Sequence, residues 1–214
     1  PLTALRLAEL AQQAGLPPGA LNVVTGSTRE LGKSLVRHPG VDKVAFTGST
    51  KTGQEIVRDS ADTLKQVTLE LGGKSPNIIL ADADFDAAVR GAFLGIFYGK
   101  GEVCAAGSRL FVEKKIKEPL LERLAERAAK LQPADPLDPK TKLGALVSAE
   151  QMEKVLGYVE TGRSEGARLV TGGGRATVGN GKGYFVQPTI FDGVRNDMTI
   201  AREEIFGPVL ATIE

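Results

Sequence analysis

The one cysteine in the chain is Cys104, in the run Gly101-Glu102-Val103-Cys104-Ala105-Ala106-Gly107. A thiolate is a strong nucleophile near neutral pH and a good leaving group once acylated. Small neighbours leave room for a ligand, although a lone cysteine also reads as a small buried hydrophobe. Upstream, Glu70 ends the run Gln66-Val67-Thr68-Leu69-Glu70. A carboxylate there is either paired structurally or used as a base, and ligands of open α/β sheets bind beyond the carboxyl ends of strands. A third candidate is Gly48-Ser49-Thr50-Lys51-Thr52-Gly53, which follows a strand and opens a helix. Free N–H groups and the helix dipole favour an anion at such a place. The spacing is neither a Walker A nor the dinucleotide fingerprint, so a capped turn is the competing reading. In Glu203-Glu204-Ile205-Phe206-Gly207-Pro208, two acids precede a turn, which alone reads as a solvated helix end.

Several chemistries are excluded or disfavoured. His38 is the single histidine, followed by Pro39-Gly40, so no multi-histidine metal site can form and a loop-ordering role is expected. No metal is expected. Lys and Arg total 27 against 26 Asp and Glu, which gives no basic excess for nucleic acid or an anionic membrane. No apolar run approaches the roughly 20 residues that span a bilayer. One cysteine allows no intrachain disulfide, and a reduced cytoplasm suits a working thiol.

The elements that must position these residues alternate along the chain. Helical spacing runs from Leu2 to Ala14, with Gly15 as the stop. Strands are expected at Leu21–Thr25, Lys43–Thr47 and Gln66–Glu70. Between them come a helix to Arg37, opened by a Ser27/Glu30 capping box, and a helix over Thr50–Ser60. This alternation is the βαβ pattern of a parallel sheet. After Gly72-Gly73 it restarts: strands at Asn77–Leu80, Arg109–Val112, Leu169–Val170, Tyr184–Ile190 and Val209–Ile213, with helices at Phe85–Tyr98, Ile116–Lys130 and Ala149–Thr161. The expected boundary near Gly72-Gly73 gives domains 1–73 and 74–214. The chain starts at Pro1 without Met and ends inside an apolar run, so both ends are expected to be cuts within a longer protein.

Taken together, the motifs resemble the aldehyde dehydrogenase family. Phe46-Thr47-Gly48-Ser49-Thr50 is similar to its cofactor phosphate motif. Leu69-Glu70-Leu71-Gly72-Gly73-Lys74-Ser75-Pro76 is similar to its glutamate signature, and Gly101 to Arg109 to its cysteine signature. Glu203-Glu204-Ile205-Phe206-Gly207-Pro208-Val209 is similar to its cofactor-ribose motif. The resemblance implies an α/β fold: the second half of a Rossmann-like cofactor domain, then most of the catalytic domain. It implies oxidation of a small aldehyde with NAD or NADP, with Cys104 as nucleophile and Glu70 as general base. Thr47, Gly48, Ser49 and Gly53 would lie at the pyrophosphate, Glu204 at the nicotinamide ribose, Phe206 beside the ring and Gln151 as a second ribose contact. A homo-oligomer is expected. Gly99-Lys100-Gly101-Glu102 departs from the Asn-Gln-Gly-Gln frequent in the family. A cofactor-independent thiol esterase and a silent folded fragment are the alternative readings.

Overall fold

Leu5, Ala8 and Ala11 recur at helical spacing, and helix α1 (Leu2–Gln13) forms over them. It ends in a Schellman turn: Gly15 at φ +95° and Leu16 donate to Gln12 and Ala11 carbonyls. The computed structural model describes every residue from Pro1 to Glu214 and divides them into two units, Pro1–Leu71 and Gly72–Glu214.

In the first unit, α1 buries none of its residues. No strand forms over Leu21–Thr25, contrary to expectation, and Leu21 and Val24 are exposed. A strand exists only through pairing, and no strand of this chain runs beside that segment. The expected capping box is also absent: helix α2 (Arg29–Arg37) is preceded by Thr28, with no side-chain cap. His38 orders the following turn by accepting the Gly40 N–H on Nδ1 at 3.0 Å. Strand β1 (Lys43–Gly48), helix α3 (Thr50–Ser60) and strand β2 (Gln66–Leu71) make a parallel βαβ unit. Each strand alternates exposed and half-buried residues, so α3 covers the Phe46 and Leu69 face only. Gly53 permits this packing, because a Cβ there would lie 2.8 Å from Leu71 Cδ2.

The second unit is a mixed sheet with apolar clusters on both faces. Its elements are β3 (Pro76–Ile79), α4 (Phe85–Phe97), β4 (Arg109–Val112), α5 (Lys114–Lys130), α6 (Ala149–Ser164), β5 (Arg168–Thr171), β6 (Thr189–Asp192), α7 (Thr199–Arg202) and β7 (Val209–Ile213). The strand order is β3-β4-β7-β6-β5, parallel except for the β5–β6 pair. The central strand β7 is wholly buried. Val209, Ala211 and Ile213 pack on Val155, Val159 and Ile200 of α6 and α7, while Leu210 packs with Leu110, Leu120 and Ile96 on the other face. Tyr184–Ile190 was expected as one strand, but only Thr189 and Ile190 enter β6; Val186 makes an isolated bridge to Arg175. Pro188 interrupts it, since proline has no N–H to give to a ladder. The architecture is the expected α/β class. No helix is long and apolar enough to cross a membrane.

Candidate active site

Cys104 is exposed, at the tip of a loop fastened at both ends. The loop starts where α4 stops, as Gly99, Lys100 and Gly101 adopt φ values of +57°, +66° and +71°. Gly101 has no substitute here: a Cβ would sit 2.1 Å from the Gly207 carbonyl oxygen. Lys100 is the non-glycine residue in this left-handed turn, a conformation that costs roughly 1–2 kcal/mol. Its Nζ lies 3.0 Å from Glu102 Oε2, and Glu102 Oε1 accepts the Val147 N–H at 3.0 Å. At the far end, Gly107 donates to the Gly95 carbonyl of α4 at 2.9 Å. Ala106 is buried below, and the Cys104 N–H donates to no group of the chain. The thiol is therefore presented outward, not packed as a core residue.

The turn bearing Glu204 is built in the same unit. Glu204 lies against the backbone of Gly72 and Gly73: a Cβ on Gly72 would be 2.0 Å from Oε2, and the Gly73 N–H reaches Oε1 at 3.4 Å. Any side chain at residue 72 would evict the carboxylate. Phe206 takes a positive φ of +58°. Gln151 holds that backbone by donating Nε2 to the carbonyls of Ile205, at 3.1 Å, and Phe206, at 2.7 Å. Its amide hydrogens are thus spent on the turn, and only Oε1 remains to accept a hydrogen bond.

In the first unit, Ser49 is the N-cap of α3: its Oγ accepts the Thr52 N–H at 3.2 Å and shares a hydrogen bond with Thr52 Oγ1 at 3.0 Å. The Thr50 and Lys51 N–H groups have no partner within the helix and point from its positive end. Gly48, just before it, makes room for the Phe46 ring, which a Cβ there would meet at 2.4 Å. Thr47 pairs in register with Glu70, and both side chains are exposed on one face of the sheet. Within its own unit Glu70 is exposed and its carboxylate makes no salt bridge, so the structural pairing that was one of its two readings is not found there.

Sequence reasoning missed Lys74. Its Nζ is buried without a hydrogen-bond partner. Burial foremost, then the nearby Arg109 charge, lowers its pKa to about 8, against a raising influence from Glu204. It also missed Tyr158, whose OH donates to Glu203 at 2.7 Å and whose pKa is pushed up to about 12, by burial first and then by that bond. Neither is legible without burial.

Comparison with known proteins decides the ancestry. The model of the aldehyde dehydrogenase family matches residues 1–214. The chain belongs to the aldehyde dehydrogenase family. It is 52% identical over 214 residues to a betaine aldehyde dehydrogenase of Rhizobium etli, covering all of this chain and 44% of that protein. A betaine aldehyde dehydrogenase of Agrobacterium fabrum is 53% identical over 214 residues, with 43% of its length covered. Among solved structures, an NAD-dependent aldehyde dehydrogenase from Sinorhizobium meliloti superposes with a TM-score of 0.95 at 49% identity, covering 99% of this chain and 42% of that one. An aldehyde dehydrogenase from Bacillus cereus, solved as its NAD+ complex, gives 0.96 at 50% identity, covering 100% and 43%. This aldehyde dehydrogenase chain therefore spans less than half the length of these relatives.

Proposed function

We propose that the chain supplies the thiol, the base and the nicotinamide-side binding groups of an enzyme that oxidises a small aldehyde to a carboxylic acid with NAD or NADP. The observation that carries this reading is the exposed Cys104 on a loop whose Gly101 rests on Gly207, beside the turn that holds Glu204. In this reading residues 1–73 are the C-terminal half of a nucleotide-binding domain and 74–214 an incomplete catalytic domain.

The residues fit a dinucleotide. The N-terminus of α3, with Thr47, Gly48 and Ser49 before its first turn, suits a pyrophosphate, and Gly53 would serve that site by letting the helix pack on β2. Glu204, cradled by Gly72, offers a carboxylate oxygen to ribose hydroxyls, Gln151 offers Oε1, and Phe206 lies in the same turn. When bound, the dinucleotide supplies the two-electron acceptor. The chain does the rest. The Cys104 thiolate attacks the aldehyde carbon, forming a C–S bond and an oxyanion within reach of its own free N–H. After oxidation at that carbon, Glu70 takes a proton from water, the hydroxide adds to the thioester, and the C–S bond breaks to release acid and thiolate.

A second reading has a specific support: attack by an exposed thiol on an ester needs no dinucleotide. Two assays separate the readings. Aldehyde-dependent NADH or NADPH formation marks the dehydrogenase. Ester hydrolysis without cofactor, and no reduced cofactor, marks the esterase, while neither activity marks a silent folded chain. Cys104→Ala should abolish whichever activity is found, and substantial residual turnover would remove Cys104 as nucleophile.

A further inference from the structure

Glu102 takes no part in the chemistry above, yet its carboxylate is 9% exposed and its two oxygens are used in different directions. Oε2 meets Lys100 Nζ at 3.0 Å, and Oε1 accepts the Val147 N–H at 3.0 Å. Val147 itself is 75% exposed and adds no packing. Its segment is anchored by the neighbouring Leu146, whose side chain is buried in the core and whose N–H donates to the Tyr184 carbonyl at 2.8 Å. Next comes Ser148, whose Oγ caps α6 by accepting the Gln151 N–H at 3.1 Å. Gln151 in turn holds the carbonyls of Ile205 and Phe206. The Gly101–Gly207 backbone contact closes the ring from the other side.

We infer that Glu102 is a positioning residue: its carboxylate registers the Cys104 loop against the start of α6 and so against the turn carrying Glu204 and Phe206, while Lys100 pairs with that carboxylate at 3.0 Å within the same loop. The inference rests on the reading of Cys104 as the reactive thiol. An amide at residue 102 would keep the Val147 bond but leave the Lys100 charge uncovered, two residues from Glu102 and four from the thiol. Removing Lys100 would leave the carboxylate uncovered instead. A positive charge favours the thiolate and a negative one disfavours it.

Because Cys104 is the single cysteine, its alkylation by iodoacetamide can be followed by mass spectrometry in the full chain, without cofactor. Hydrogen exchange at Val147 reports the tie itself. In Glu102→Ala the Val147 amide should exchange about tenfold faster or more, as expected for a lost hydrogen bond to a charged group. In Glu102→Gln protection should persist, and alkylation at slightly acidic pH should quicken by about two- to fivefold. Lys100→Met should slow it by a similar factor. These opposite signs are not what a merely structural role gives, and the two conservative variants keep the test open if Glu102→Ala does not fold. Unchanged Val147 exchange in a folded Glu102→Ala, or alkylation rates that move together or not at all in Glu102→Gln and Lys100→Met, would overturn the inference. These shifts in a chain with no dehydrogenase activity would uphold the tie while counting against the proposed function.

Discussion

Lys74 is a cation placed where a cation is expensive: its ammonium is buried and unpartnered, with Arg109 nearby. Its folded pKa of about 8 lies below the usual 10.5, so between those values the unfolded chain holds a proton that the native chain lacks. Stability therefore rises with pH across that window. Lys74→Met should stabilise the chain by roughly 1–3 kcal/mol at pH 7, and the gain should shrink as the pH passes from about 8 to 10.5. Urea unfolding of both chains at several pH values checks this, and a gain that stays constant with pH would refute it. The contrast with Cys104 shows what single residues disclose in a sequence. Cys104 stood out because it is alone and its neighbours are small, and Ser49 because it lies between a strand and a helix. Lys74 follows two glycines among ordinary residues, and the charges that bear on it, Arg109 and Glu204, lie far along the chain. Glu70 shows the reverse: its alternating strand was legible, but its exposure depends on what covers that face.

Glycines separate two kinds of demand at the scale of elements. Gly53 lets α3 lie on β2, but an added methyl would meet only the flexible end of Leu71, at 2.8 Å. Gly53→Ala should cost at most about 1 kcal/mol, because alanine's helix propensity offsets part of the crowding. Gly101 has φ +71° and faces a carbonyl of the backbone at 2.1 Å. Gly101→Ala should cost more than about 2 kcal/mol and change the accessibility of the Cys104 thiol. Chemical denaturation of the two variants checks the order; equal losses would contradict it. The βαβ unit was readable because each strand alternates and α3 begins at a Ser cap. The segment Leu21–Thr25 has the residues of a strand without a neighbour to pair with, and Tyr184–Ile190 has them with Pro188 inside. Both failures come from pairing, which apolar periodicity does not encode.

At the scale of the whole molecule, the units differ in how much apolar surface they cover. The second closes its sheet between two clusters. The first leaves Leu2 at 79% exposure, Leu64 at 91% and Val24 at 63%, buries nothing of α1, and pairs β1 with β2 alone. Exposed apolar surface and unpaired edges drive association. Light scattering over a concentration series should show self-association, and a monomer at every concentration would count against it. Substituting Leu2 and Leu7 with Lys should reduce it. The central claim assigns successive steps of one reaction to a thiol in the second unit and a carboxylate in the first. Its most direct test is mass spectrometry of Glu70→Gln after mixing with an activated ester. The variant keeps the shape of residue 70 and lacks the base, so an acyl group should persist on Cys104 while the parent chain turns over. Turnover as fast as in the parent, or an acyl group lodged on any residue other than Cys104, would contradict the account.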